Sequence, residues 1–230
     1  RMDGLYIKQF VEERELTVFL LVDASGSQLF GSQSRRKQEC AAELGALIAF
    51  SAIKNNDRVG LITFTDKIET FIPPKKGRKH VLRVLPEILE QRTAGRGTDI
   101  SAALEHLSRI TRKKAVVFLI SDFQDEGFEK ALNIASRRHE VVPIFLIDPM
   151  EEKLPNMGII QVENPETGEL LTVDTTSKRI RDAYERAAKH QREVRERAFR
   201  KRKIDHVVVR TDEDYLAPLL KYFRLRARRA

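Results

Sequence analysis

The sequence predicts a doubly wound, Rossmann-like α/β fold: a mostly parallel sheet with one antiparallel edge strand and helices on both faces. Three observations carry this. Apolar and β-branched runs recur at 16–22, 59–64, 115–121, 141–147 and 206–210, each too short for a buried helix and suited to a strand covered on both faces. Between most of them lie stretches with helical spacing, as expected of parallel strands joined by crossover helices. One connection, Thr65-Asp66-Lys67, is too short for a crossover, so the run 68–72 after it is expected to pair antiparallel.

In chain order, residues 5–10 lead in as an extended segment, and 16–22 is the first strand. A polar loop precedes a long helix from about 34 to 54. Its inward face is expected to hold Cys40, Leu44, Leu47, Ile48 and Ile53, with five alanines for close packing, and Asn55-Asn56-Asp57 stops it. Strands 59–64 and 68–72 follow, then a loop over 73–77. A helix over 80–90 turns Val81, Leu82, Leu85, Ile88 and Leu89 inward. The loop 91–98 contains glycines and opens a helix over 99–112, with Ile100, Ala103, Leu104, Leu107 and Ile110 inward. Strand 115–121, helix 126–138 and strand 141–147 complete the alternation.

From 148 to 176 the pattern changes. Two short strands, 159–163 and 170–173, are joined by Pro165-Glu166-Thr167-Gly168, a hairpin signal. A helix over 178–203 follows, expected to pack through Ile180, Ala183, Tyr184, Ala187, Val194 and Ala198 and to show solvent a basic face. After strand 206–210, Thr211 is expected to cap a final helix, with Asp212, Glu213 and Asp214 in its first turn. With no repeat and no linker-like stretch, residues 1–230 read as one domain with a hairpin-like insertion at about 148–176 and a basic helix at about 178–203.

Composition narrows the function classes. A hydrophobic content of 41% and a charged content of 33% describe a charge-rich globular chain. No apolar run approaches the roughly 20 residues that span a bilayer, and no signal peptide precedes the first strand. The expected location is therefore cytoplasmic. The chain starts at Arg1, so it is expected to be the carboxyl-terminal part of a longer protein, and an anchor in the inner membrane is left to an upstream segment. Cys40 is the only cysteine, so no internal disulfide is possible; on a helical apolar face it reads as a buried, inert thiol. The net charge of +8 is uneven: residues 178–203 hold 12 basic and 4 acidic side chains, and 221–230 add 5 basic ones.

The candidate chemistry lies at 16–27, LTVFLLVDASGS. An acid and two hydroxyls at alternate positions, Asp23, Ser25 and Ser27, follow the carboxyl end of a buried strand, where open α/β sheets place ligand sites. These hard oxygens suit Mg²⁺ or Mn²⁺. Thr98, on the loop opening a helix, and Asp122, ending a buried strand, should reach the same sheet edge. The set Asp23-x-Ser25-x-Ser27, Thr98 and Asp122 resembles the metal-ion-dependent adhesion site of von Willebrand factor type A domains. That resemblance implies a divalent cation, Mg²⁺ or Mn²⁺, held through the hydroxyls and the two acids, with an acidic partner residue completing its shell.

The blocks LYIKQFVEERELTVFLLVDAS, NNDRVGLITFTD, FIPPKKGRKH, GRGTDI, LISDF, NPETGE and TDEDYLAPLL extend the resemblance over nearly the whole chain. They are similar to the type A domain of the bacterial MoxR-associated family of unknown function, family number 58. The resemblance implies a non-catalytic, metal-dependent protein-interaction domain. Its implied partner is a MoxR-type AAA+ ATPase or that ATPase's client, and its role the assembly or maturation of a protein complex.

Two other classes stay open. The basic helix could mark nucleic-acid binding, although no aromatic side chains interleave for stacking and no specific sequence is expected to be read. A Mg²⁺-dependent phosphohydrolase is the third. Position 25 is Ser where a haloacid dehalogenase would need a second Asp, and there is no Gly-x-Ser-x-Gly elbow, His-Glu-x-x-His pair or Gly-Lys-Ser/Thr phosphate loop. The five scattered histidines, Asp99, Asp125 and the loop glycines Gly95 and Gly97 read as structural.

Overall fold

The computed structural model describes residues 15–29, 35–90, 97–163, 168–202 and 204–227. Its strands are β1 (Thr17–Asp23), β2 (Arg58–Phe64), β3 (Ile68–Lys75), β4 (Val116–Ser121), β5 (Glu140–Ile147), β6 (Ile159–Glu163), β7 (Leu170–Asp174) and β8 (Val207–Arg210). Its helices are α1 (Lys37–Lys54), α2 (Arg78–Leu89), α3 (Ile100–Ile110), α4 (Glu129–Arg138), the short α5 (Pro149–Glu152), α6 (Lys178–Lys201) and α7 (Leu216–Ala227). Six strands form one sheet in the order β3-β2-β1-β4-β5-β8, and β6 and β7 form a separate antiparallel pair. All neighbours in the large sheet are parallel except β2 and β3. The predicted α/β fold is the observed one.

The two-residue period of β1 explains the two layers. Val18, Leu20 and Val22 pack with Cys40, Leu44 and Ile48 of α1 and Val81, Val84 and Ile88 of α2. Phe19 and Leu21 point the other way, to Ile100, Leu104 and Leu107 of α3 and Leu132 and Ala135 of α4. Strand β1 sits mid-sheet between β2 and β4, so its carboxyl end, Asp23, is flanked on both sides. Gly60 on β2 is needed for this packing. A Cβ there would lie 2.8 Å from Phe19 Cε1 and 3.2 Å from the Ile72 carbonyl oxygen. Gly60→Ala should therefore cost about 1–3 kcal/mol of stability, the usual penalty of overpacking, measured by chemical denaturation.

Several expectations at the level of single elements are corrected. Strand β3 runs on through Pro73 and Pro74 to Lys75; two residues that cannot donate to a ladder are tolerated because β3 is an edge strand. The inward face of α2 is Val81, Val84 and Ile88, while Leu82 and Leu89 are half exposed. Leu47 and Ile110 also lie at the surface, at the margins of their stripes. Thr211 does not cap α7: its hydroxyl donates to Asp148 Oδ2 at 2.9 Å, and Asp214 accepts the Leu216 N–H instead. Helix α6 was expected to pack through its apolar side, yet Ile180, Tyr184 and Val194 are exposed and Phe199 alone is fully buried among its large side chains. Residues 5–10, Ser34 and the turn residues Pro165, Glu166 and Thr167 lie outside the described residues. No helix among the described residues is long and apolar enough to cross a membrane.

Candidate metal centre

Asp23 is the last residue of β1 and is 1% exposed. Its Oδ1 accepts the Ser25 N–H at 3.0 Å, and its Oδ2 accepts the hydroxyl of Ser121 at 2.5 Å. Ser121 ends the adjacent strand β4, so the parallel register brings these two residues together. After Asp23 the chain turns into a single 3-10 turn, Gly26–Leu29, which returns Ser27 toward Ser25; their Oγ atoms are 3.0 Å apart. Ser27 in turn donates to Asp122, one residue past β4. Asp23, Ser25, Ser27 and Asp122 are thus one buried, hydrogen-bonded cluster at the carboxyl edge of the central strands.

Asp122 is held from several sides. Its Oδ1 accepts the Gln124 N–H at 3.2 Å, and its backbone carbonyl accepts Arg195 of α6 at 2.8 Å. The next residue, Phe123, has φ +54°, a left-handed conformation that a side-chain-bearing residue adopts only when its surroundings enforce it. Its N–H donates to Ser121 Oγ at 2.9 Å, and its ring stacks on Phe145 at 4.3 Å and meets Phe199 edge-on at 5.3 Å. This aromatic cluster offsets the backbone strain and fixes the direction in which Asp122 leaves the strand.

Thr98 lies just before α3, whose N-cap Asp99 accepts the Ala102 N–H at 2.7 Å. The Asp99 N–H donates to the Thr65 carbonyl, immediately past the carboxyl end of β2, which puts this loop at the same sheet edge. The Thr98 Oγ1 is shut off from solvent and has no hydrogen-bond partner among the described residues. An enclosed hydroxyl without a partner is costly and marks a place where a ligand atom is wanted. The amide of buried Gln28, next to Ser27, is in the same position. Asp125 behaves as a structural acid, accepting the Ile100 N–H at 2.9 Å.

The sequence reading missed Lys37. It is the first residue of α1 and 0% exposed, and its Nζ lies 2.6 Å from Asp122 Oδ2 and 2.5 Å from Glu151 Oε1 of α5. It stands in a run of basic residues, Arg35-Arg36-Lys37, that looks like an ordinary solvated helix start. A signal existed, because Lys37, Cys40, Ala41, Leu44 and Ile48 share one helical stripe, so a lysine heads the buried face.

The electrostatics follow from burial and these neighbours. Burial, with the nearby charge of Asp122, pushes the Asp23 carboxyl up to about 7 against its hydrogen bonds from Ser121 and Ser25. Burial would also raise Asp122, but the Lys37 ammonium and the hydrogen bonds from Lys37, Ser27 and Gln124 outweigh it and hold Asp122 below its ordinary value. Glu151 is raised by burial despite Lys37. The thiol of Cys40 is buried and pushed up to about 11 by desolvation, which makes it a poor nucleophile.

The donor set suits a hard divalent cation: two buried carboxylates and three hydroxyls, one of them unpartnered. Hydroxyls supply much of it, since among the described residues no three His, Cys, Asp or Glu side chains are grouped to hold a metal. Lys37 is a second cation at its edge, and a metal would share Asp122 with that ammonium.

Comparisons with known proteins place the chain in a wider setting. A family model described as protein of unknown function DUF58 matches residues 1–194. The uncharacterized protein Rv1480 of Mycobacterium tuberculosis (strain ATCC 25618 / H37Rv) is 30% identical, over 98% of this chain and 72% of that protein. The uncharacterized protein MAV169 of Mycobacterium avium is 29% identical, over 70% of this chain and 96% of that protein. Among solved structures, the conserved hypothetical protein BatB from Bacteroides thetaiotaomicron has a TM-score of 0.57 at 17% identity, covering 92% of this chain and 98% of its own. An aerotolerance-related membrane protein from Bacteroides fragilis NCTC 9343, carrying multiple mutations to serines, has a TM-score of 0.58 at 18% identity, covering 89% and 96%. At these identities the structural likeness is one of fold.

Proposed function

We propose that this chain, which belongs to the DUF58 family of proteins of unknown function, is a non-catalytic protein-interaction domain that engages an acidic partner group through a divalent cation. The observation that carries the reading is the pairing of two buried carboxylates, Asp23 and Asp122, with the enclosed, unpartnered Thr98 hydroxyl at one sheet edge. In this reading Asp23, Ser25, Ser27, Thr98 and Asp122 hold Mg²⁺ or Mn²⁺. When bound, the ion supplies a positive point that a partner's Asp or Glu can reach.

The chain's own residues prepare that exchange. Ser25 N–H and Ser121 fix Asp23; Ser27, Gln124 N–H and Lys37 fix Asp122. Hydroxyls add oxygen donors without negative charge, so an approaching carboxylate meets less repulsion than it would at an all-carboxylate site. Lys37 also faces Glu151, which leaves the charge of Asp23 and Asp122 to be balanced by a divalent ion. By the family resemblance, the partner proposed is a MoxR-type AAA+ ATPase or its client, in assembly or maturation of a protein complex. The location proposed is cytoplasmic, with any membrane anchor upstream.

The basic helix α6 supports a nucleic-acid role by charge alone. Several of its guanidiniums already face acids: Arg192 to Glu152 and Glu196, Arg197 to Glu193 and Arg200 to Glu196.

Two measurements test the proposal. Calorimetric titration of Mg²⁺ or Mn²⁺ into the chain should show binding that Asp122→Asn weakens strongly. The purified MoxR-type AAA+ ATPase should then be retained on immobilised chain in Mg²⁺ and released by EDTA. No metal binding at millimolar concentration, or equal retention in EDTA, overturns the mechanism. A steep salt-dependent shift of DNA or RNA would move the assignment to nucleic acid, and phosphoester turnover would move it to an enzyme.

A further inference from the structure

Beside the carboxyl-edge site lies an open groove of about 680 Å³, bounded by the β6–β7 hairpin, helix α6 and the end of β5. We propose that this groove receives a segment of a partner protein in which an acidic side chain is followed by two apolar ones. The proposal rests on the metal-bridged reading above and extends it to the partner's sequence chemistry.

Four observations support it. First, the groove is continuous with the site, since Ser27, Gln124 and Glu151 line its inner end. A carboxylate reaching the site would hold its neighbouring residues over the groove.

Second, the walls are apolar and exposed. Leu171 is 57%, Ile180 39% and Tyr184 36% exposed, on the helix face and hairpin that an amphipathic pattern would have buried. Clustered exposed apolar side chains around a cavity of this size mark a binding surface.

Third, the walls are held in place. Tyr184 Oη donates to the Met150 carbonyl at 3.1 Å, Arg181 donates to the Thr175 carbonyl at 2.6 Å, and Arg192 bridges to Glu152 at 2.6 Å. A surface ordered before binding loses less entropy when it binds.

Fourth, the charge is complementary to an acidic segment. Helix α6 carries 10 basic and 4 acidic residues, with Arg192 and Arg195 on the groove itself. That charge disfavours a second copy of this chain, because a symmetric contact through the groove would set two basic helices side by side. The apolar lining disfavours nucleic acid, which would use the basic residues and leave the leucines and isoleucines exposed.

The test uses the 230-residue chain and a phage library of short random peptides, panned in Mg²⁺. Enriched peptides should share an Asp or Glu beside two apolar residues. A fluorescent copy of the most enriched peptide should bind at least about tenfold more weakly to Leu171→Asp and to Ile180→Asp, the effect of losing one buried aliphatic contact. Both positions are exposed, so the fold should survive, as circular dichroism will show. Equal binding by both variants overturns the groove even if EDTA abolishes binding, which would leave the metal site standing. Binding lost in the groove variants but unchanged in EDTA supports the groove and overturns the metal bridge. Absence of any enriched pattern overturns the proposal. So does a concentration-dependent dimer dissolved by Leu171→Asp, which would assign the groove to a second copy.

Discussion

Asp23→Asn should make the metal-free protein more stable at pH 8 and abolish its stabilisation by Mg²⁺. The sign follows from the raised carboxyl. Below about pH 4, Asp23 is protonated in both the folded and the unfolded chain and contributes nothing to the difference. Between about 4 and about 7 the unfolded chain gives up its proton while the folded chain keeps it, so stability falls as pH rises. Above about 7 the folded state carries a buried, poorly solvated anion close to Asp122, and the whole penalty is present. Asparagine has no proton to lose and keeps the shape. Its advantage at pH 8 in EDTA should be on the order of 3 kcal/mol, which for a chain of this size is roughly 5–10 °C in Tm. Asp122, held low by Lys37, titrates at lower pH with the opposite sign, so wild type and variant are compared at each pH. Wild type should regain the loss on adding Mg²⁺, and Asp23→Asn should not. A variant less stable than wild type at pH 8 in EDTA, or an undiminished Mg²⁺ response, would sink the assignment. Asn is the better probe than Ala. Asp23 lies inside the last residue pair of β1 and is buried, so Ala would also leave the Ser25 N–H and the Ser121 hydroxyl without their acceptor.

What was legible in the sequence was what periodicity encodes. Buried runs fixed the strands and their order of appearance, and the short turn at Asp66 gave the single antiparallel neighbour. Asp23, Ser25, Ser27 and Asp122 stood at strand ends because a parallel sheet delivers strand ends to one edge, and they are found in contact. Thr98 was placed on the right edge, and its partnerless hydroxyl shows only in three dimensions. The left-handed turn at Phe123 left no trace in sequence, since nothing local demands it; the rings of Phe145 and Phe199, distant in the chain, impose it. Helix α6 misled because an apolar stripe says that a face avoids water, not what will cover it. Here Ile180 and Tyr184 line a groove, and the arginine of the same helix at 195 points inward to the Asp122 carbonyl. Lys37 was hidden by the opposite habit, reading a cation at a helix start as solvated.

That lysine gives the second large effect. Lys37→Met should destabilise the metal-free protein by about 3–5 kcal/mol at neutral pH, the usual result of removing one partner from a buried ionic cluster. The cost does not come from lost packing, since Met fills much of the same volume. It comes from Asp122 and Glu151, which Lys37 contacts at 2.6 and 2.5 Å and which would be left as neighbouring buried anions. Two consequences separate this from a generic core defect. The loss should shrink toward pH 5, because carboxylates freed from the ammonium take up protons more readily, Glu151 first since burial already raises it. Adding Glu151→Gln to Lys37→Met should recover part of the stability, a non-additivity expected only of residues in contact. The same ammonium occupies Asp122 Oδ2, an oxygen the metal reading needs, so Lys37 competes with the ion. Folded Lys37→Met should therefore bind Mg²⁺ more tightly than wild type and gain more in Tm from it. Calorimetry with Mg²⁺ and denaturation at pH 5 and 8 measure both. A variant within about 1 kcal/mol of wild type would remove Lys37 as the counter-ion of the cluster, and weaker Mg²⁺ binding by a folded variant would show that the lysine supports the metal rather than opposing it.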